Sequence, residues 1–291
     1  MSIAARRRMA DESLRPALER AQGLYPVDTV ATTLGGVRAK VITPKGGIPI
    51  RNQHRVLMSL HGGGFLTGAG TLSLLESIPA ASLGRIKVVA IDYRQGPEHR
   101  FPAATEDVAA VYRELLRSYP ARNIGIYGCS AGGVLTGEVV AWIEKKGGSL
   151  PGAIGIFCAS AAGWNGGDSG SLADALNGEP VSAQYGSPPH PSIDNAVYFR
   201  EADFSDPLVE PIRSNAVLAR FPPTLIITST RDIALSPAVY THTQLVKLGV
   251  DAQLHVWEAM VHGFFGIHPE LPESREAWDV IVKFFDSRLG T

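Results

Sequence analysis

The stretch Ile124-Gly125-Ile126-Tyr127-Gly128-Cys129-Ser130-Ala131-Gly132-Gly133 constrains this chain more than any other. A short apolar run meets a serine flanked by very small residues, and a helical pattern reaching about Trp142-Ile143 follows. Strand, tight turn and helix, with Gly-x-Ser-x-Gly at the bend, is the arrangement of a nucleophile elbow. Such a turn puts Ser130 in a strained backbone conformation and leaves room beside the strand only for small side chains. Gly128, Ala131, Gly132 and Gly133 supply that smallness.

The chain around this stretch alternates. Apolar runs at 56–60, 88–91, 154–158, 224–228 and 254–257 read as strands. Between and after them lie helical stripes, such as Val108, Val111, Tyr112, Leu115 and Leu116, and at the end Trp278, Ile281, Phe284 and Phe285. Ser236 as N-cap, Pro237 at the first position and Gly249 past the end predict a further helix. Continuous apolar strands separated by helices predict an α/β fold with a mostly parallel central sheet flanked by helices. Upstream, residues 1–25 read as helix with a break or restart at Pro16, and 30–42 as a hairpin about Gly35-Gly36. Residues 43–52 read as a Pro/Gly loop. Residues 160–211, rich in Gly, Pro, Ser and Asn, break the rhythm at the sheet edge where open α/β sheets bind ligands. They read as a lid that covers the site together with the N-terminal helix. The expected organisation is 1–25 as N-terminal cap helices, 26–159 as the first part of the core, 160–211 as the cap insertion and 212–291 as the second part of the core. In the lid, Trp164, Tyr185, Tyr198 and Phe199 either narrow the acyl pocket or anchor the segment.

The 291 residues suffice for a large core, and a net charge of −1 gives no reason to expect nucleic acid as a partner. Arg6-Arg7-Arg8, followed by Asp11 and Glu12, reads as a solvated helix face. No apolar stretch follows it as in a signal peptide, and no run approaches the ~18 apolar residues of a membrane span. The expectation is a cytoplasmic protein without a membrane span, and a homodimer is left open. Cys129 and Cys158 make no disulfide framework and carry no metal-ligand spacing, so both read as small buried thiols.

A serine nucleophile needs a base, and the base needs a group that fixes its tautomer. Of eight histidines, His262 stands in the loop after the last strand, at the sheet edge where Ser130 is expected. Asp232 follows the 224–228 strand, and the order Ser130, Asp232, His262 is the one expected for such an elbow. Asp206, in the lid, and Glu258, close to His262, are the rival acids. Backbone donors for a developing oxyanion come from His61-Gly62-Gly63-Gly64, which follows an apolar strand. Neither a Gly-Lys-Ser/Thr ending nor a dinucleotide fingerprint accompanies those glycines.

His61-Gly62-Gly63-Gly64-Phe65, residues 92–104 beginning Asp92-Tyr93-Arg94, and the elbow together resemble the bacterial hormone-sensitive-lipase-like esterases. The resemblance spans about 55–265 and implies an α/β-hydrolase fold, with a cap built from the N-terminal helices and an insertion. It implies the triad Ser130, Asp232 and His262, with an oxyanion hole from the backbone N–H groups of Gly63, Gly64 and Ala131. It further implies hydrolysis of short- to medium-chain acyl esters, a small-molecule substrate and neither cofactor nor metal. Two positions depart from the family pattern: Cys129 stands where an acid is usual, and Gln95-Gly96 replace Leu-Ala before Pro97-Glu98. Arg94 and Glu98 read as structural. Amide, carbamate or lactone hydrolysis would use the same triad. A non-catalytic ligand-binding protein on this fold is the remaining alternative.

Overall fold

In a computed structural model of the chain, residues 1–162, 167–176 and 197–290 are described. Eight strands form one sheet: β1 Val27–Leu34, β2 Val37–Pro44, β3 Val56–Leu60, β4 Lys87–Ile91, β5 Ile124–Cys129, β6 Ala153–Phe157, β7 Thr224–Arg231 and β8 Ala252–Val261. Their order is β1-β2-β4-β3-β5-β6-β7-β8. The hairpin β1–β2 and the β2–β4 pair are antiparallel, and every other pair is parallel. This is the α/β-hydrolase arrangement.

Every residue of β3, β5 and β6 is buried. Helices cover both faces of these parallel strands, which is why their sequences are continuous apolar runs rather than alternating ones. On one face, α4 (Ala103–Leu115), α5 (Ala131–Lys145) and the Leu235–Lys247 helix pack Val108, Leu135, Val139 and Leu245 against Met58, Ile126 and Ile156. On the other, α3 (Ile78–Gly84) and the Pro272–Arg288 helix bring Trp278, Ile281 and Phe285 onto Leu57, Tyr127 and Phe157. The indole N–H of Trp278 donates to Phe265 O at 2.9 Å, so this large ring is buried with its polar atom satisfied.

Two expectations are corrected here. Helix α1 (Ile3–Leu24) runs through Pro16 without a break. Pro16 and Glu12 both face solvent, so the carbonyl that the missing N–H leaves free is on the exposed side of the helix. Ser236 is not an N-cap: the helix begins at Leu235, with Ala234 in the cap position. Ser236 instead exchanges hydrogen bonds with Ser169, at the start of α6 (Ser169–Leu176), accepting at 3.1 Å and donating its N–H at 3.0 Å.

Helix α1 packs Leu14, Ala17, Leu18 and Ala21 against Leu75 and Ile78, and polar contacts tie it down as well. Arg7 is no solvated charge. Its guanidinium donates to Leu66 O and Gly96 O, each at 2.8 Å, and forks onto both oxygens of Glu98 at 2.8 Å. Asp11 accepts from Thr71 N–H at 2.8 Å and so caps α2 (Thr71–Leu75), whose own N-cap residue is Gly70. Arg7 through Leu66 and Asp11 through Thr71 both reach the segment that follows the glycine run. Arg94 pairs with Asp107 and Glu106, in keeping with a structural role.

Glu138 on α5 is fully buried, accepts from Thr105 Oγ1 at 3.0 Å, and leaves its other oxygen without a partner among the described residues. Burial pushes its carboxyl up to about 8, so the folded protein holds this proton through neutral pH. The unfolded chain releases it near 4.5. The stabilisation is therefore complete below that value and is lost as pH rises toward 8, on the order of 5 kcal/mol at most. Glu138→Gln keeps the acceptor for Thr105 and removes the titration. Thermal melts from pH 5 to 9 are expected to show a falling Tm in the parent and a flatter profile in Glu138→Gln. Parallel profiles would refute the assignment.

Candidate active site

The residues singled out in the sequence converge at the carboxyl ends of the parallel strands. Ser130 directly follows β5 and sits at φ 56°, ψ −122°, a conformation that L-residues rarely adopt. Its N–H donates to Phe157 O at 2.8 Å, pinning the bend to the end of β6. The small neighbours are required sterically: a Cβ at Gly132 would collide with the Leu60 carbonyl, and one at Gly133 would lie 2.7 Å from Ala159 Cβ. Helix α5 starts immediately at Ala131.

Asp232 follows β7 and is fully buried, whereas the His262 side chain, after β8, is 31% exposed. His262 Nδ1 lies 2.6 Å from Asp232 Oδ1. Asp232 Oδ1 also accepts from Ala234 N–H at 2.9 Å, and Oδ2 from Thr228 Oγ1 at 3.0 Å. Burial pushes the Asp232 pKa up, but the neighbouring His262 and the Ala234 N–H outweigh it, holding the carboxyl below its usual value. Burial likewise pulls His262 down, and the charge and hydrogen bond of Asp232 outweigh it, so its pKa ends above that of an ordinary histidine. The pair thus holds Nδ1 protonated toward Asp232 and leaves the other ring nitrogen out of this contact. Ser130 Oγ has no hydrogen-bond partner among the described residues. Bonds of this kind often close only when substrate is bound.

The rivals stand elsewhere. Asp206 accepts from Leu208 N–H at 2.9 Å inside its own turn, and Glu258 is exposed. His190, Trp164 and Tyr185 lie outside the described residues. Tyr198 and Phe199 are buried: Tyr198 stacks on Phe65 at 4.5 Å and accepts from Ala104 N–H at 2.8 Å. In these contacts they anchor their segment.

The glycine run leaves β3 as a tight turn in which Gly63 has φ 104°. A side chain there would collide with Thr67, whose N–H donates to Gly63 O at 3.0 Å. Among the described residues, no group accepts from the N–H of Gly63, Gly64 or Ala131. Gly62 N–H, in contrast, donates to Glu76 Oε2 at 3.0 Å, which fixes the root of the turn. His61 is buried, stacked on Tyr93 at 4.3 Å, with its pKa lowered by burial to about 4. It stays neutral and supports the turn, while Tyr93 O–H donates to its carbonyl at 2.6 Å. Glu76 and Thr228 were not legible as site residues, because neither carries a local motif. Tyr93 belongs to the 92–104 motif, whose pattern carries no sign of this contact.

One group of potential metal donors, Cys158, Asp232 and His262, has ligand atoms within 4.8 Å of one another. Asp232 and His262 already bind each other, and burial holds the Cys158 thiol well above its usual pKa. The cluster is arranged to share protons rather than to present a thiolate.

The α/β-hydrolase fold family model matches residues 57–266. An acetyl-hydrolase of Streptomyces hygroscopicus is 27% identical over 96% of this chain and 91% of its own. An esterase of Mycobacterium tuberculosis is 26% identical, over 93% and 91%. A solved esterase structure superposes with TM-score 0.86 at 30% identity, covering 99% of this chain and 86% of its own. A second, from the bacterial hormone-sensitive lipase family, gives TM-score 0.83 at 26% identity, covering 100% and 93%. The chain belongs to the α/β-hydrolase fold family, among the bacterial hormone-sensitive-lipase-like esterases.

Proposed function

We propose that this carboxylic ester hydrolase is a serine esterase acting on short- to medium-chain acyl esters through an acyl-enzyme on Ser130. His262 takes the Ser130 proton as the oxygen attacks the ester carbonyl. The N–H groups of Gly63, Gly64 and Ala131 hold the oxyanion of the tetrahedral intermediate. His262 then returns the proton to the leaving alcohol, and water repeats the sequence on the acyl-enzyme. Asp232 keeps the imidazole in the tautomer that accepts from Ser130. The cap of this reading is helix α1 with the 160–211 insertion, of which residues 163–166 and 177–196 lie outside the described residues.

The observation that carries the reading is the buried Asp232 carboxylate 2.6 Å from His262 Nδ1, at the sheet edge where Ser130 stands strained. The names of the acetyl-hydrolase and esterase relatives agree with it. The test is hydrolysis of p-nitrophenyl esters across acyl lengths. Turnover is expected to peak at short chains. No turnover on any acyclic ester, with activity on amides or lactones, would replace the ester assignment.

The pH profile follows from the pair. Only the neutral imidazole can act as base, and Asp232 raises the pKa of His262. The acid limb of kcat/KM is therefore expected above the ordinary histidine value of about 6.5. A rate that stays flat from pH 5 to 8 would remove His262 from the role of base.

A further inference from the structure

Strands β7 and β8 lead to Asp232 and His262, and their pairing is interrupted just before those residues. It runs from Thr224↔Ala252 to Ser229↔Trp257 and resumes at Arg231↔Val261. Between these points β7 advances two residues and β8 four, so β8 bulges immediately before His262. Bulges are uncommon between parallel strands, and beside a site they re-aim the side chain that follows. Ala259, inside the bulge, is held left-handed at φ 61°, a strained conformation for alanine that its surroundings must enforce.

Two consecutive hydroxyls of β7 hold the bulge. Thr230 Oγ1 accepts from Ala259 N–H at 2.7 Å, and Ser229 Oγ donates to Val261 O at 3.3 Å. The carbonyl of Ser229, a fully buried residue, also accepts from Asp232 N–H at 3.1 Å. Ser229 therefore grips the turn of the acid with its main chain and the residue before His262 with its side chain.

We propose that Ser229 and Thr230 are positioning residues for hydrolysis, their hydroxyls setting where the β8 bulge places His262 against Asp232. The proposal rests on the serine-esterase reading above. Alanine or valine could occupy either place on the strand, but neither has a polar atom to reach the bulged backbone. The two contacts differ in setting. Val261 is half-buried, so losing the Ser229 donor is costly there, whereas Ala259 is exposed and water can reach its N–H once the Thr230 hydroxyl is gone.

The test compares the parent with Ser229→Ala/Thr230→Val and its single variants on p-nitrophenyl acetate, with Ser130→Ala as control. The double variant is expected to lower kcat about 10-fold at unchanged KM, and Thr230→Val alone about threefold. The acid limb should move to lower pH, because a displaced His262 loses part of the charge and hydrogen bond of Asp232 that raise its pKa. Thr230→Ser keeps the acceptor oxygen and should recover the kcat lost in Thr230→Val. Independently of turnover, the far-downfield proton resonance of His262 Nδ1–H should shift or broaden in the double variant and stay in place in Thr230→Ser. A lowered Tm with parental kcat, acid limb and resonance would reduce the two hydroxyls to sheet stability and overturn the proposal. If the double variant fails to fold, Thr230→Val decides: a shifted resonance and acid limb support the proposal, and parental values of both overturn it. An active Ser130→Ala would instead defeat the serine-esterase reading, while the resonance, read without substrate, still reports on the bulge.

Discussion

Ser130→Ala is expected to lower kcat for p-nitrophenyl ester hydrolysis by about 10⁴- to 10⁶-fold while leaving the protein as stable as the parent. The two halves of this expectation have separate physical grounds. The hydroxyl has no hydrogen-bond partner among the described residues, so its removal strands no buried group. Alanine keeps the Cβ that already fits at φ 56°, so the elbow is neither relieved nor further strained. Chemistry, in contrast, loses the atom that becomes acylated. What remains is binding by the glycine turn and water attack at the carbonyl, which sets the floor of residual rate. Steady-state kinetics with a melting curve on the same preparation tests both halves. Equal turnover by the two proteins would remove Ser130 from the mechanism.

Asp232→Ala should cost about 10⁴-fold in kcat, and Asp232→Asn about 10- to 100-fold less than that. The difference comes from Ala234. Its N–H donates to Asp232 Oδ1, the same oxygen that faces His262 Nδ1. An asparagine must therefore present its carbonyl oxygen there, because an amide N–H₂ would meet two donors. His262 keeps its acceptor and its tautomer and loses only the negative charge. That charge is what lifts the imidazole pKa against burial. The acid limb of the asparagine variant should accordingly move to lower pH. An asparagine variant as impaired as the alanine variant, with its acid limb unmoved, would show that Ala234 does not fix the amide orientation.

Much of this site could be read from the sequence because its parts are local. The elbow is one continuous stretch whose small residues have no other use, and the glycine turn announces itself after β3. The strands β3 to β7 were legible because burial on both faces makes their sequences uninterrupted apolar runs. Contacts made across the fold left no such trace. Arg7 looked like one of three solvated arginines, yet its partner Glu98 lies 91 positions away. Ser236 before Pro237 has the pattern of a cap, but Ser169 claims its side chain from 67 positions upstream. Pro16 misled in the other direction, because helix tolerance of proline depends on which face meets water.

The attachment of α1 bears on how this chain behaves between fully folded and fully unfolded. A 22-residue surface helix held by a small apolar cluster and a few charged latches is expected to open before the sheet does, which amide hydrogen exchange would check. Its latches end on Leu66, Thr71 and Gly96, so its release also frees the backbone around the glycine turn. The chain's first residues thus act as a removable brace on a loop 60 positions downstream. Transient detachment of that brace would create a breathing state that opens the loop side of the molecule while the sheet stays intact.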